Sequence, residues 1–323
     1  MSVQPSSSKA PAGIFAVKRK LSDWIGDSLL RGLAIAASVV GVGLLAWIAV
    51  TVFQKAWPAI SRYGLGFLVN SAWNPVTDHF GAADFIFGTV VSSAVALLIA
   101  APISIAIALY LTELASRRVR RPAAILIELL AAIPSVILGL WGILVFGPFL
   151  FNRLEPALHG VLGWIPLFSG SPSPYGMLNA ALILTIMVVP IISAIAREVF
   201  ETTPAELKEG AYALGATRWE MARMVILPYG KTGVTAAIIL GLGRALGEAI
   251  AVTQVIGNTP GVHVSLFAPA ASLAAQLASE YQGATTTLEA SSLLYLAAIL
   301  LVISLIVNIV ARLIVRRSMV RSK

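Results

Sequence analysis

The sequence contains no cysteine and few charged residues. Only 12% of its 323 residues are Asp, Glu, Lys or Arg, whereas 58% are hydrophobic. The charged share is about half that of a typical soluble domain. Without cysteine, disulfides and thiolate metal sites are excluded, and His79, His159 and His263 lie too far apart in sequence to form a metal-ligand cluster. The composition indicates an integral membrane protein.

Catalytic and nucleotide-binding motifs are also lacking. The sequence YGKT at 229–232 ends like a Walker A loop, but Val225 stands where that pattern needs its first glycine. The stretch GLGRALG at 241–247 has one residue too many for a dinucleotide-binding turn and lies in an apolar run. The patterns HExxH and GxSxG do not occur. We predict that the chain is not an enzyme and binds no cofactor, so that any ATP and Mg²⁺ are bound by a partner.

Six apolar runs are long enough to cross a membrane. A spanning helix needs about 20 apolar residues, and these runs do not alternate as barrel strands do. We predict an all-α, polytopic fold with a six-helix transmembrane domain over residues 29–315, flanked by a tail or interfacial segment at 1–28 and a basic tail at 316–323. The predicted spans are about 29–53, 85–111, 123–151, 177–196, 232–256 and 292–315.

The basic residues are distributed unequally between the two sides of these spans. All but four of the 23 Lys and Arg residues lie in the N-terminal segment, the connections after spans 2 and 4, and the C-terminal end. The exceptions are Lys55, Arg62 and Arg153 on the opposite side, and Arg244 within a span. The positive-inside rule therefore predicts that both termini and both flanking tails are cytoplasmic. Membrane orientation also accounts for the net charge of +8 without a nucleic-acid partner.

The fifth predicted span contains two ionisable residues, Arg244 and Glu248. A central Arg costs about 2.5–3.5 kcal/mol on insertion scales, so such a pair indicates a functional site. The spacing of four places both side chains on one helix face. Arg244 lies about 20 Å along the helix from Lys231, near the bilayer midplane. The alternative is a buried salt bridge that only locks helices together.

If the chain transports an anion, Arg244 is its natural ligand, because a guanidinium group binds phosphate oxygens bidentately. Glu248 would then hold Arg244 in place and accept a hydrogen bond from a protonated phosphate. Ser135 is a further candidate for the pathway. Thr253 either lines the pathway or bonds to a neighbouring helix.

Glycines next to the charged pair indicate close helix contact. Gly243 and Gly247 form a small-xxx-small pair on the neighbouring face of the fifth span. We predict that they pack against another helix while the charges face a cavity.

The connection between spans 4 and 5 is patterned. Thr203 is predicted to cap a helix that begins at Pro204 and breaks at Gly215, and a second amphipathic helix follows. Two short helices at the membrane surface can dock into a cleft on a soluble partner. The alternative is a charged loop that merely connects two spans.

This connection resembles the EAA loop of ATP-binding-cassette importer permeases. The family has Glu-Ala-Ala, three residues, Gly, nine residues, then Ile-x-Leu-Pro; this chain departs from it at Gly210 and Val225. Five other segments resemble the PstC-type permease family of the phosphate-specific transport system. They are WNP at 73–75 and the stretches 87–114, 128–142, 213–222 and 241–258.

The resemblance implies a type I importer fold (MetI-like) with cytoplasmic termini, in the bacterial cell membrane. It implies a phosphate permease whose partners are a second permease (PstA-type), two ATPase subunits (PstB-type) and an external phosphate-binding protein (PstS-type). Arg244 and Glu248 would be its functional charges. The region 204–228 would be the coupling region, with the contact residues Glu209, Gly210, Ala211, Gly215, Ala216, Arg218, Leu227 and Pro228.

Three alternatives stay open at this point. The cargo of the same importer could be sulfate or molybdate. The chain could be an ion-coupled secondary transporter that uses Arg244 and Glu248 as a proton relay, although that class predicts inverted repeats and leaves 204–228 unexplained. It could also be a membrane scaffold or sensor that does not transport.

Overall fold

A computed structural model describes the backbone of residues 21–320 and, besides Gly26, the side chains of residues 28–313. The chain divides into two compact units, residues 1–51 and 52–323. Helix α1 (Leu21–Tyr63) includes the described part of the first unit. Residues 1–20 of the predicted N-terminal tail and residues 321–323 of the predicted C-terminal tail lie outside the described residues, while 316–320 continue the last helix.

Helices make up almost all of the regular structure of the described chain. A two-stranded antiparallel hairpin, β1 (Trp73–Asn74) and β2 (His79–Phe80), lies between the first two spans. The α-helices that follow it are α2 (Ala83–Leu109), α3 (Arg117–Ala132), α4 (Ser135–Trp141), α5 (Gly147–Phe149), α6 (Glu155–Leu162), α7 (Met177–Glu201), α8 (Ala205–Ala213), α9 (Arg218–Met221), α10 (Leu227–Gly247), α11 (Ile250–Val255), α12 (Leu273–Glu280) and α13 (Thr287–Val320).

Short π-helical and 3₁₀ turns join several of these helices. The π turns are Tyr110–Leu114, Gly142–Phe146, Leu150–Leu154 and Ala222–Ile226, and the 3₁₀ turns are Gly64–Leu68, Pro166–Phe168 and Tyr281–Gly283.

Within the described residues, six helical stretches are long and apolar enough to cross a membrane, which confirms the predicted number. They are Ser28–Leu68, Ala83–Leu114, Ser135–Leu162, Met177–Glu201, Arg218–Gly247 and Thr287–Leu313.

The prediction of one continuous helix over residues 123–151 is wrong. The chain is extended at Ile133 and Pro134, so α3 ends before them and the crossing helix begins at Ser135. Proline has no N–H to donate, and its ring disfavours the helical conformation of the preceding residue. The preceding helix α3 is a separate amphipathic helix whose Glu128 pairs with Arg197 of α7 at 3.3 Å.

The predicted fifth span, 232–256, is also divided. Its helix begins further back, at Arg218, and ends at Gly247. Glu248 then adopts an extended conformation, with ψ 114°, before α11 begins at Ile250. The charged pair therefore lies at a helix break.

The fourth span, α7, is the central helix of the second unit, where it packs on α2 and α10. The face of α2 that it meets consists of small residues four positions apart: Ala96, Ala100, Ser104 and Ala108. Small side chains let two helix backbones approach closely in a membrane. The hydroxyl of Ser104 uses this proximity to donate to the carbonyl of Val189 at 3.1 Å.

On the predicted outer side, the loop before the last span contains a short helix. Helix α12 begins after Ser272, whose hydroxyl accepts a hydrogen bond from the backbone N–H of Ala275 at 3.2 Å. Its first turn is buried, and it packs against α11 and α13. Helix α12 thus packs on α11, which lies in the outer part of the predicted fifth span.

Candidate functional site

A cavity of about 550 Å³ lies beside the charged pair of the fifth span. We call it the Arg244 cavity. Its walls come from α7, α10, the break after α10, and α13. The lining residues are Ile191, Ile239, Leu240, Gly243, Arg244, Gly247, Glu248 and Asn308. An apolar wall with a few convergent polar groups is typical of a ligand site.

Arg244 and Glu248 are close together and differ in exposure. Nη2 of Arg244 lies 3.9 Å from Oε2 of Glu248, and the side chains are 43% and 9% exposed, respectively. Oε1 of Glu248 also accepts a hydrogen bond from the backbone N–H of Ala251 at 3.3 Å. The carboxylate thus satisfies a first-turn N–H of α11 and holds the arginine from behind. The guanidinium group faces the cavity and is free to bind an anion.

Gly243 and Gly247 do not pack against another helix of the described chain, so that prediction is corrected. A Cβ atom added at either position would meet nothing within 4 Å, because both glycines line the Arg244 cavity. The close contact is made by Gly241 instead, where a Cβ would lie 2.7 Å from Val188 and 2.9 Å from Ile192 of α7. The packing face of α10 is therefore the one that carries Gly241 and the buried Ala245, and not the one that carries Gly243 and Gly247.

Neither of the two predicted hydroxyls lines this cavity. Ser135 is half-buried at the start of α4, a helix that packs on α11 further along, where Gly139 approaches Ala251. The Thr253 hydroxyl donates to the carbonyl of Ala249 at 2.7 Å and reaches the carbonyl of Ala275 at 3.5 Å. The geometry of Thr253 favours the alternative interpretation, a bond to a neighbouring helix.

Asn308 is the polar cavity residue that the sequence pattern did not single out. It lies in α13, more than 50 positions after the charged pair, and no motif joins the two. The available signal was a lone carboxamide in the apolar run LIVNIVA at 305–311. Polar side chains in spans usually face the protein interior or a cavity.

The second candidate site is the coupling region, residues 204–228. Its two helices, α8 and α9, are joined at Gly215, whose φ of +84° is a left-handed conformation that favours glycine. The predicted cap at Thr203 is wrong, because Thr203 is buried and α8 has no side-chain cap. A complete capping box instead starts α9, where Thr217 and Glu220 each accept a hydrogen bond from the other's backbone N–H.

The predicted contact residues of this region differ in exposure. Glu209, Gly210, Gly215, Arg218 and Pro228 are exposed, Ala216 and Leu227 are half-buried, and Ala211 is buried. Large apolar side chains are exposed beside them, with Leu214 at 91% and Trp219 at 65%. Exposed apolar side chains next to a charged helix are typical of an interaction surface.

Two contacts fix the coupling region to the membrane spans. Ala211 and Met221 are buried in a cluster with Phe200 of α7. Lys208 donates to Glu113, at the end of the second span, at 2.6 Å, and both side chains are largely shielded from solvent. No sequence pattern predicted this ion pair, because its members lie 95 positions apart. The coupling region is thus anchored to the second and fourth spans, and α9 leads directly into the fifth.

The family described as "Binding-protein-dependent transport system inner membrane component" matches residues 100–320. The chain belongs to this family. The match covers the coupling region and the Arg244 cavity, so both candidate sites lie in the part that this permease shares with its family.

Several curated relatives carry the name "Phosphate transport system permease protein PstC". The permease is 45% identical to the one from Mesorhizobium japonicum, over 88% of this chain and 89% of that protein. It is 43% identical to the one from Haemophilus influenzae, over 91% of this chain and 94% of that protein. A relative from Mycobacterium tuberculosis named "Phosphate transport system permease protein PstC 2" is 38% identical, over 89% and 91%.

Solved structures confirm the predicted fold. A chain of the bacterial alginate ABC transporter, in complex with an alginate-bound periplasmic protein, is similar with a TM-score of 0.57 and 18% identity, over 91% of this chain and 97% of that chain. A chain of the MetNI methionine ABC transporter is similar with a TM-score of 0.51 and 20% identity, over 74% of this chain and 94% of that chain. This permease therefore has the fold of ABC importer permeases, and it is a multi-pass protein of the bacterial inner membrane.

Proposed function

We propose that this chain is the membrane-spanning permease subunit of an ATP-driven importer of inorganic phosphate. The main observation in support is the Arg244 cavity. The guanidinium group of Arg244 lines this space within the membrane spans and is paired with Glu248. Relatives up to 46% identical that are named phosphate transport system permeases support phosphate as the cargo.

The chemistry of the cavity suits a transient anion site. An arginine keeps its charge in a low dielectric and can bind two phosphate oxygens at once. Its 3.9 Å separation from Glu248 is longer than a good charge-assisted hydrogen bond. An incoming anion can therefore improve on the contact that Arg244 already has. The neighbouring carboxylate opposes overly tight binding, so the anion can also leave.

The energy for transport comes from partner subunits in this proposal. The chain has no Walker A sequence, and two ATPase subunits of the PstB type bind ATP and Mg²⁺ in its place. They dock on the coupling region. A second permease of the PstA type completes the pathway, and an external PstS-type binding protein delivers phosphate to the outer loops.

Motion of the coupling region reaches the cavity through one helix. The stretch Arg218–Gly247 is continuous, so Arg218 and Arg244 lie about 39 Å apart on one rod at 1.5 Å per residue. Closure of the ATPase subunits would tilt this rod and rock the spans between outward-facing and inward-facing states.

The test of the proposal is Arg244→Gln. Loss of a charged hydrogen-bond partner is worth about 1.5–3 kcal/mol, so phosphate uptake by vesicles that contain the whole importer is expected to fall by at least about tenfold. Arg244→Lys keeps the positive charge but loses the bidentate geometry of the guanidinium group. Its phosphate uptake is expected to lie between that of Arg244→Gln and that of the wild type.

Arg153→Gln is the matched control, because Arg153 is exposed near the outer end of the third span and does not line the cavity. It is expected to transport phosphate at the wild-type rate. Normal uptake by a fully assembled Arg244→Gln importer would show that Arg244 is not the phosphate ligand.

A further inference from the structure

Asn308 shares the Arg244 cavity with the charged pair. Its carboxamide lies in the sixth span among aliphatic residues. A polar side chain at this position is costly to insert unless it meets a polar partner or a cavity. Its location brings a neutral donor and acceptor to the place where an anion would pass.

The orientation of this carboxamide follows from its one hydrogen bond. Its side chain approaches the carbonyl oxygen of Ser304, one turn earlier in α13, at 2.8 Å. A carbonyl oxygen only accepts, so the atom that faces it must be the amino group, Nδ2. The other branch is therefore the oxygen Oδ1. Within the described part of the chain, Oδ1 receives no hydrogen bond from the protein.

Glu248, by contrast, is an ionised acceptor that is paired with Arg244. Oε1 accepts from the N–H of Ala251 at 3.3 Å, and Oε2 lies 3.9 Å from Arg244. Oδ1 of Asn308 is thus the neutral side-chain acceptor in the polar part of the cavity within the described residues. An acceptor in such a place can recognise a ligand that carries a proton.

We propose that Asn308 is a specificity-determining residue that distinguishes phosphate from fully ionised oxyanions. This inference rests on the proposed function. Oδ1 accepts a hydrogen bond from the P–O–H group of phosphate, while Arg244 binds the ionised oxygens. Sulfate has no proton at neutral pH, so its oxygen would face Oδ1 lone pair to lone pair.

A neutral amide suits this role better than a carboxylate. A second negative charge near Glu248 would repel every anion, whereas Oδ1 penalises only those that lack a proton to donate. A site built to hydrogen-bond a substrate group rejects the analogue that lacks it, because the acceptor that faces the ligand is then left unpaired.

The experiment measures equilibrium binding of ³²P-phosphate to the purified, assembled importer without its binding protein, with unlabelled phosphate or sulfate as competitor. In the wild type, phosphate should displace the label at much lower concentration than sulfate. In Asn308→Leu, the ratio of the two competitor constants should fall by about tenfold, the equivalent of one hydrogen bond. Ser304→Ala is the control, since Asn308 bonds to a backbone carbonyl that this change retains.

An unchanged ratio in Asn308→Leu would overturn the proposal, and so would an equal loss of affinity for both anions. Should Asn308→Leu not assemble, Asn308→Ala decides instead: it removes the acceptor without adding volume, and the same fall in the ratio is expected. A wild-type importer that assembles and hydrolyses ATP but binds no phosphate would overturn the proposed function itself.

Discussion

Two glycines, two residues apart on α10, have opposite surroundings. A side chain at Gly241 would meet Val188 and Ile192 at less than 3 Å, whereas one at Gly243 would enter the Arg244 cavity. Filling a packed interface costs about 1–3 kcal/mol, because neighbouring side chains are forced off their rotamers. The same substitution should therefore affect stability at Gly241 and phosphate uptake at Gly243.

We expect Gly241→Leu to lower the thermal stability of the purified importer and Gly243→Leu to leave it near that of the wild type. Gly243→Leu should instead lower phosphate uptake, since a leucine there occupies space beside Arg244. The measurements are thermal unfolding and phosphate uptake by vesicles, with subunit assembly checked in both. Wild-type uptake by Gly243→Leu would mean that phosphate does not pass through this cavity.

On the scale of helices, the hydropathy of the sequence could not locate the breaks within the spans. The number of spans and the two helices of the coupling region were predictable, because each rests on a local pattern of apolar residues and glycine. The break before Ser135 and the break at Glu248 interrupt runs that are strongly apolar on average. An average of hydropathy over a window does not detect one or two extended residues, so hydropathy predicts a single helix for each span.

The site was predictable to the same extent. Arg244 and Glu248 stand out by their cost in lipid, and their spacing gives their shared position. Asn308 and the pair Glu113–Lys208 meet partners that are far away in sequence. Such contacts depend on how the helices pack, and no local sequence motif predicts them.

The coupling region makes a prediction at this same scale. Leu214 is almost fully exposed between α8 and α9, beside the left-handed Gly215. If this surface docks on an ATPase subunit, Leu214→Asp should weaken subunit association by about tenfold or more, because it buries an unpaired charge at the interface. The folding of the permease should not change, since the Leu214 side chain is 91% exposed.

The measurement is the amount of ATPase subunit that copurifies with the permease, followed by its dissociation rate. Val76→Asp is the matched control, because Val76 is 93% exposed in the hairpin on the predicted outer side. Equal recovery of the ATPase subunit from both variants would place the docking surface elsewhere.

The whole molecule joins a charged intramembrane cavity to a surface of exposed apolar side chains through the continuous helix Arg218–Gly247. A proton relay needs only the cavity, whereas an ATP-driven importer needs both ends of this helix. The two functions therefore differ in energy source. A secondary transporter would also leave the anchored, apolar surface around Leu214 and Trp219 without a use.

In cells or vesicles that carry the complete importer, we expect phosphate uptake to continue when a protonophore collapses the proton gradient while ATP is held constant. Depletion of ATP with the gradient intact should stop uptake, because the rod that ends near Arg244 is then no longer driven from the coupling region. Leu214→Asp links the two ends: it should reduce ATP-driven uptake while ³²P-phosphate binding at the Arg244 cavity persists. Uptake that follows the proton gradient and ignores ATP would assign Arg244 and Glu248 to a proton relay instead.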